Sequence, residues 1–134
     1  MPQLEDRRVL LLGAETDLGT ATATVLANAG ARLALVSGSR DAEAAFGVQR
    51  LARRLNATSQ AIDATNEAAV RVMVRQVSKE MGGIDTAVSC VEDATARELF
   101  ERHARREMKR TSEGVYVDAT ATLDVVAAIA GQRE

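Results

Sequence analysis

Two glycines and two acids lie close together near the start of the chain, in the stretch VLLLGAETDLGTA that runs from Val9 to Ala21. An apolar run ends at Gly13, and Gly19 lies beyond it, with Glu15 and Asp17 between the two glycines. Glycine permits a tight turn and a close backbone approach, and the free N–H groups at the start of a helix attract anions. If this stretch joins a strand to a helix, it could therefore bind a phosphate.

The same pattern has a purely structural explanation. Asp17 would be the N-cap of the helix, and its carboxylate would accept hydrogen bonds from the helix amides. A carboxylate beside a diphosphate costs about 1 kcal/mol or more in a partly solvated loop. In both cases we expect the side chain of Asp17 to point into the helix cap and away from any bound phosphate.

The remaining reactive side chains offer little chemistry. His103 is the only histidine, and we expect a solvated or half-buried residue of the helical stretch ELFERHARREMKR, with no metal site around it. Cys90 is the only cysteine, so it cannot form an internal disulfide. We expect its thiol to be buried and inert, and the alternative is a reactive thiol at the end of a strand. The two lysines, Lys79 and Lys109, lie among other charges.

Composition narrows the class of protein. A chain of 134 residues with 46% apolar residues predicts a single domain over residues 1–134. A net charge of -2 does not favour nucleic acid or an anionic membrane as a partner, and 2% aromatic residues leave few stacking surfaces. No apolar run reaches membrane-spanning length and MPQLEDRR lacks the apolar core of a secretory signal, so a cytoplasmic protein is expected.

Short apolar runs rich in Val, Leu and Ile alternate with stretches of helical period. This alternation predicts an α/β fold, with a five-stranded parallel sheet in the order 3-2-1-4-5 and helices on both faces. The predicted strands are Arg8 to Leu12, Arg32 to Ser37, Ser59 to Asp63, Ile84 to Ser89 and Val115 to Ala119.

Several segments of the first two thirds resemble one known family in order and spacing. LLLGAETDLGTA, NAGARLALVS, AIDATNEAAVRVMV and GGIDTAVSC are similar to the cofactor-binding half of short-chain dehydrogenases/reductases, from about Arg7 to Cys90. The resemblance implies a three-layer Rossmann fold that binds NAD(P). The family pattern Gly-x-x-x-Gly-x-Gly falls on Gly13, Asp17 and Gly19, so its middle glycine is replaced by an acid.

The resemblance also implies a set of cofactor contacts at the carboxyl ends of the strands. These are Gly13, Glu15, Asp17, Leu18, Gly19, Ser37, Ser39, Arg40, Asp63, Ala64, Ser89 and Cys90.

The end of the second strand bears on the choice of cofactor. The stretch LVSGSR carries no acid at Ser37 or Gly38, and by resemblance Ser37, Ser39 and Arg40 suit the 2′-phosphate of NADP better than the free ribose of NAD. Alternatively, Arg40 only begins the solvated face of the next helix. Asp63 matches an adenine-contacting acid of the family, and it could also end the third strand and cap the following helix.

The catalytic residues of the family find no counterpart. Ser89 to Glu92 replace the family's Asn-Asn-Ala-Gly, and the catalytic serine aligns best with Ala121, between Thr120 and Thr122. Tyr116 is the only tyrosine and is predicted to be a strand residue, so the Tyr-x-x-x-Lys pair is missing. The sequence predicts a dinucleotide-binding domain, truncated before that pair and without dehydrogenase activity of its own. The alternative is a non-catalytic scaffold for protein interaction or small-ligand sensing.

The helix predicted over Ala94 to Arg110 bears on assembly. It carries a single apolar stripe, and charged residues fill the rest of its surface. We therefore expect no helix-bundle dimer of the kind usual in the family, while association through another surface or with a protein partner stays open. The stripe consists of Ala96, Leu99, Phe100, His103 or Ala104, and Met108.

Overall fold

The computed structural model describes residues 3–111 and 113–131. Strands and helices alternate along the chain, as the sequence predicts. In order they are β1 (Arg8–Leu12), α1 (Asp17–Asn28), β2 (Arg32–Ser37), α2 (Ala42–Leu55), β3 (Thr58–Ala61), α3 (Glu67–Met81), β4 (Thr86–Ser89), α4 (Ala94–Thr111), β5 (Val115–Asp118) and α5 (Val125–Gly131), with a short 3₁₀ turn at Ala119–Ala121.

All the strand pairs are parallel, and the order in the sheet is β3-β2-β1-β4-β5. The central strand is β1, where Val9 pairs with Leu33 of β2 on one side and with Thr86 of β4 on the other. The predicted fold class and strand order are confirmed. Since β2 and β4 flank β1, the order reverses there, and ligands of such sheets bind beyond the carboxyl ends of the strands at this point.

Side chains of β1 alternate between two cores. Val9 and Leu11 pack on the face that carries α1, α2 and α5, while Leu10 and Leu12 pack on the face that carries α3 and α4. All four side chains are fully buried. A strand with helices on both faces needs apolar residues at every position, which explains the unbroken run LLL.

Three strands are shorter than the sequence predicts: β3, β4 and β5, the last because Ala119 already belongs to the 3₁₀ turn. The chain beyond β3 still donates one bond, from Ile62 N to Ser37 O at 3.0 Å, and then turns at Asp63. Before β4, Asp85 forms an ion pair with Arg8 at 2.9 Å. Ile62 and Asp85 thus continue the contacts between neighbouring strands beyond the regular ladders, and the strands themselves are shorter than the predicted ranges.

Among the residues that the structure describes, none of the helices has both the length and the apolar character needed to cross a membrane.

Candidate functional site

The loop between β1 and α1 is built on two close backbone approaches. Gly13 has φ +95°, and a Cβ atom there would lie 2.9 Å from the carbonyl carbon of Cys90. A Cβ atom on Gly19 would lie 1.9 Å from the carbonyl oxygen of Gly13. Neither position can accept a side chain without movement of the backbone, so the glycine pair brings the first turn of α1 directly onto the end of β1.

Thr16 caps α1. Its backbone is extended, and its Oγ1 accepts from Gly19 N at 2.8 Å while donating to Gly13 O at 2.9 Å. The sequence-based interpretation of Asp17 as the N-cap is therefore wrong, because Asp17 is already the first helical residue and its side chain is exposed. Thr16 and Asp17 are adjacent and both are residue types that commonly cap helices, so only the backbone angles show which of them is the cap.

Glu15 connects this loop to the end of β2. Its Oε1 accepts a hydrogen bond from Gly38 N at 2.9 Å, and the side chain is half-buried. The two residues are 23 positions apart in the sequence. The carboxylate thus lies at the carboxyl end of β2, although the loop after β1 supplies it.

The segment after β2 folds back on itself through serine hydroxyls. Ser37 is fully buried, and its Oγ donates to Ser39 O at 2.7 Å and accepts from Ser39 N at 3.2 Å. The Oγ of Ser39 accepts from Asp41 N at 3.1 Å. Asp41 caps α2 by accepting from Ala44 N at 3.2 Å, so Arg40 lies ahead of the helix and is exposed. Ser37 shapes this turn, and Arg40 supplies its positive charge.

Asp63 closes the next turn. Its Oδ1 accepts from Thr65 N at 3.0 Å and from Thr65 Oγ1 at 2.6 Å. These hydrogen bonds lower the pKa of the Asp63 carboxyl, and the charge of Arg40 adds to the effect. The helix cap expected of Asp63 is wrong, since Asn66 caps α3 by accepting from Ala69 N at 3.0 Å.

A surface cleft of about 630 Å³ lies between the ends of β2 and β3. It brings Arg40 and Asp63 together with Gly38 and Ser39 at the carboxyl edge of the sheet. Ala64 is buried beside it and donates from its N to Gly38 O at 3.2 Å. The lining consists of Gly38, Ser39, Arg40, Ala61, Ile62, Asp63, Asn66 and Ala69.

The end of β4 contributes backbone and no reactive side chain. Ser89 and Cys90 are both buried. Burial raises the pKa of the Cys90 thiol to about 12, against a smaller opposing effect of a hydrogen bond with Thr22. The thiol therefore stays protonated at neutral pH, while the backbone at Cys90 forms the wall against which Gly13 packs.

The region after β5 lacks an activated hydroxyl. Burial raises the pKa of Tyr116, a β5 residue, to about 12, although an acid/base tyrosine requires a lowered pKa. Thr120 donates to Asp118 Oδ1 at 2.6 Å, and Thr122 donates to the Asp118 carbonyl oxygen at 2.9 Å. Both threonine hydroxyls thus stabilise the turn around Ala121.

His103 lies away from this edge, on α4. It is buried, contrary to the expectation of a solvated or half-buried residue, and its Nε2 lies 3.1 Å from Glu67 Oε2. The hydrogen bond to His103 is the main reason that the pKa of Glu67 is lowered. Within residues 3–111 and 113–131, no group of three or more His, Cys, Asp or Glu residues is placed to hold a metal ion.

Comparison with known proteins places this geometry in a family. The family model described as "Enoyl-(Acyl carrier protein) reductase" matches residues 13–131. A comparison with curated proteins gave no match.

Solved structures with the same fold are numerous. A short-chain type dehydrogenase/reductase from Mycobacterium ulcerans superposes with a TM-score of 0.71 at 24% identity over 86% of this chain and 51% of its own. NAD+-bound xylitol dehydrogenase superposes with a TM-score of 0.74 at 21% identity over 96% of this chain and 60% of its own. Ribose-5-phosphate isomerase from Brucella melitensis 16M superposes with a TM-score of 0.76 at 20% identity over 87% of this chain and 52% of its own.

At these identities the solved structures show a shared fold, and this chain spans between half and two thirds of the length of each. The family match covers most of the chain, including the glycine loop, all five helices and four of the five strands. The chain therefore belongs to the short-chain dehydrogenase/reductase family.

Proposed function

We propose that this chain binds a nicotinamide dinucleotide along the carboxyl edge of its sheet, with NADP preferred over NAD. The observation that carries the proposal is the contact of Gly19 with Gly13, which is so close that no Cβ atom fits between them and which sets the first turn of α1 on the end of β1. Free helix amides at the carboxyl end of a central parallel strand are where sheets of this type bind a diphosphate. A bound nicotinamide would supply a hydride acceptor or donor.

The remaining contacts follow the same edge. The glycine loop, including Leu18, would hold the diphosphate, and the cleft with Asp63 and Ala64 would hold the adenosine. Backbone at Ser89 and Cys90 would line the path toward the nicotinamide. The preference for NADP rests on Arg40, an exposed cation of the cleft that would attract a 2′-phosphate.

We also propose that the isolated chain does not turn over a carbonyl substrate. The one tyrosine has a raised pKa, and its ring packs against Phe100 and under the guanidinium of Arg105. With a raised pKa and these ring contacts, the phenol of Tyr116 does not give up its proton near neutral pH. A partner or the substrate itself would have to supply the acid/base group.

Cys90, as a single buried thiol, is also compatible with the cytoplasmic location that the sequence predicts.

Titration of the purified chain with NADPH and with NADH, followed by cofactor fluorescence and by melting temperature, tests the binding proposal. We expect both cofactors to raise the melting temperature, NADPH by more, and Arg40→Ala to remove the difference. Equal shifts from the two cofactors in the unmodified chain would reject the role of Arg40, and no shift from either would reject dinucleotide binding.

The catalytic part has its own test. Steady consumption of NADPH with a panel of ketones and aldehydes should stay at the level of a buffer control. Sustained turnover by the chain alone would contradict the proposal. If no dinucleotide binds at all, the second candidate, a Rossmann scaffold for protein interaction or small-ligand sensing, gains support.

A further inference from the structure

The position that follows β2 carries no side chain, yet a carboxylate lies beside it. In dinucleotide-binding sheets, an acid at this place accepts a hydrogen bond from the free ribose 2′-OH. Gly38 holds the position here, and a Cβ atom built on it would lie 3.4 Å from Glu15 Oε2. A carboxylate oxygen of Glu15 thus lies in van der Waals contact with the position that the side chain of an acid at residue 38 would take.

Glu15 is held in this place by the backbone. Its Oε1 accepts from Gly38 N at 2.9 Å, and Gly38 also accepts from Ala64 N at 3.2 Å, which ties the loop after β1 to the ends of β2 and β3. An ionised carboxylate has about four acceptor directions. The bond from Gly38 uses one of them, so the group keeps acceptors for a sugar hydroxyl.

Charges of opposite sign therefore lie near the end of β2. Arg40 lines the cleft, and Glu15 is hydrogen-bonded to Gly38, another lining residue, so a cation would attract a phosphate bound here and an anion would repel it. Asp63 also lines the cleft and is close enough to Arg40 for that charge to act on its carboxyl, but its Oδ1 accepts two hydrogen bonds from Thr65. Of the two acids, Glu15 is the one that is hydrogen-bonded to the backbone at the end of β2.

We infer that Glu15 is a specificity-determining residue for the adenosine ribose, standing in for the acid that is missing after β2. It accepts from a free 2′-OH and repels a 2′-phosphate, and so it limits the NADP preference that Arg40 creates. This inference rests on the proposed dinucleotide binding and assigns a role to a residue of the same site.

Isothermal titration of the full chain with NADP+ and NAD+, and with the fragments adenosine 2′,5′-bisphosphate and 5′-AMP, tests the role of Glu15. The variant is Glu15→Gln, which keeps an acceptor for Gly38 N and removes the charge. We expect the ratio of the two dissociation constants, NAD+ over NADP+, to rise about tenfold, which corresponds to one unit charge acting through partly solvated surroundings. The fragment pair should show the same change.

Two further variants make the result specific. Asp17→Asn removes an equal charge from the same loop but beside the diphosphate, so it should change both affinities together and leave their ratio unaltered. Arg40→Gln should lower the ratio, opposite to Glu15→Gln. Melting temperatures show whether each variant is folded.

The outcomes separate the inference from the function on which it rests. Binding of both dinucleotides with an unchanged ratio in Glu15→Gln would overturn the role of Glu15 and leave dinucleotide binding intact. A ratio that shifts equally in Asp17→Asn would also overturn it, because the effect would then be general electrostatics. If neither dinucleotide nor either fragment binds to the unmodified chain and the variants, the proposed function itself fails.

Discussion

Gly19 lies against Gly13 so closely that a Cβ atom on Gly19 would stand 1.9 Å from the carbonyl oxygen of Gly13. The contact joins the first turn of α1 to the end of the central strand. The contact stabilises the fold, and it also sets the first amides of α1 at the end of β1, where we propose that a diphosphate binds.

The first prediction is that Gly19→Ala destabilises the chain. The added methyl group cannot be relieved by a flexible side chain, since its neighbours are the backbone atoms of Gly13 and Ala14. We expect a loss of about 2 to 3 kcal/mol of unfolding free energy and a melting temperature lower by roughly 5 to 10 °C. Thermal unfolding followed by circular dichroism measures both.

Gly47 provides the matched control. It lies within α2, and a Cβ atom there meets nothing within 4 Å. Gly47→Ala should therefore stabilise the chain by about 0.5 to 1 kcal/mol through helix propensity alone. If Gly19→Ala and Gly47→Ala changed the free energy of unfolding in the same direction, the close approach at Gly19 would be contradicted.

The second prediction concerns the cap of α1. Thr16→Ala removes the acceptor for Gly19 N and the donor to Gly13 O, and it should cost about 1 kcal/mol of stability in urea unfolding. Thr16→Ser should restore most of the loss. Thr24→Ala, which removes only a bond to the carbonyl oxygen of Thr20 within the same helix, serves as the control and should be close to neutral.

The fold was predictable from the sequence because its signals are local and repeated. The alternation of Leu10 and Leu12 with Val9 and Leu11 between two cores requires a strand that is apolar throughout, and the sequence shows it directly. The ends of the strands were less predictable, since hydrogen bonds outside the regular ladder, such as Asp85 N to Arg8 O, extend the pairing.

The contacts that shape the site were harder to predict because they depend on the folded sheet. Glu15 reaches Gly38 only because β1 and β2 are neighbours, and His103 reaches Glu67 only because α3 and α4 share one face. The prediction of the α1 cap was wrong for a different reason. Thr16 and Asp17 are both good capping residues, so the sequence alone does not decide between them.

The third prediction concerns Asp17 and the affinity for dinucleotides. Since Thr16 supplies the cap, the exposed carboxylate of Asp17 is not needed for it, and its charge would oppose a nearby diphosphate. Asp17→Gly and Asp17→Asn should each tighten binding of NAD+ and NADP+ about threefold. Titration calorimetry measures the effect, and weaker binding in both variants would show that Asp17 contributes to the site.

The fourth prediction concerns pH. Hydrogen bonding to His103, with the charges of Arg102 and Arg71 adding to it, lowers the pKa of Glu67. A carboxyl whose pKa is lower in the folded chain stabilises the fold at pH values above its unfolded pKa, about 4.3, and this contribution is lost as the pH falls through the folded pKa. The unmodified chain should therefore have a higher melting temperature than Glu67→Gln near neutral pH, and the two melting temperatures should converge as the pH falls below the folded pKa of Glu67.

The control for this pH effect is Glu98→Gln. Glu98 also pairs with Arg102, at 3.3 Å, one helical turn away on α4, whereas the hydrogen bond to His103 is made by Glu67. Its variant should show a smaller difference from the unmodified chain at every pH. A difference for Glu67→Gln that persists unchanged into acid would mean that the amide disrupts packing and that ionisation is not the cause.

The last prediction concerns the surface of α4. The helix turns one apolar stripe to the sheet, and Leu99, Phe100 and Met108 are buried there. Its outer positions are charged, and two pairs, Arg102 with Glu98 and Arg105 with Glu101, hold these charges along the helix.

Packing two copies of this face together would bury many ions, each at a cost of several kcal/mol unless it finds a partner. We therefore expect no dimer built on α4. Light scattering coupled to size exclusion should give the mass of one chain, 14.3 kDa, or of an assembly that uses another surface. Lys109→Cys, placed on the exposed side of α4, distinguishes these cases, because Cys90 is buried and does not compete as a thiol. Efficient disulfide cross-linking through residue 109 under mild oxidation would contradict the prediction, whereas an assembly without that cross-link would support association through a different face.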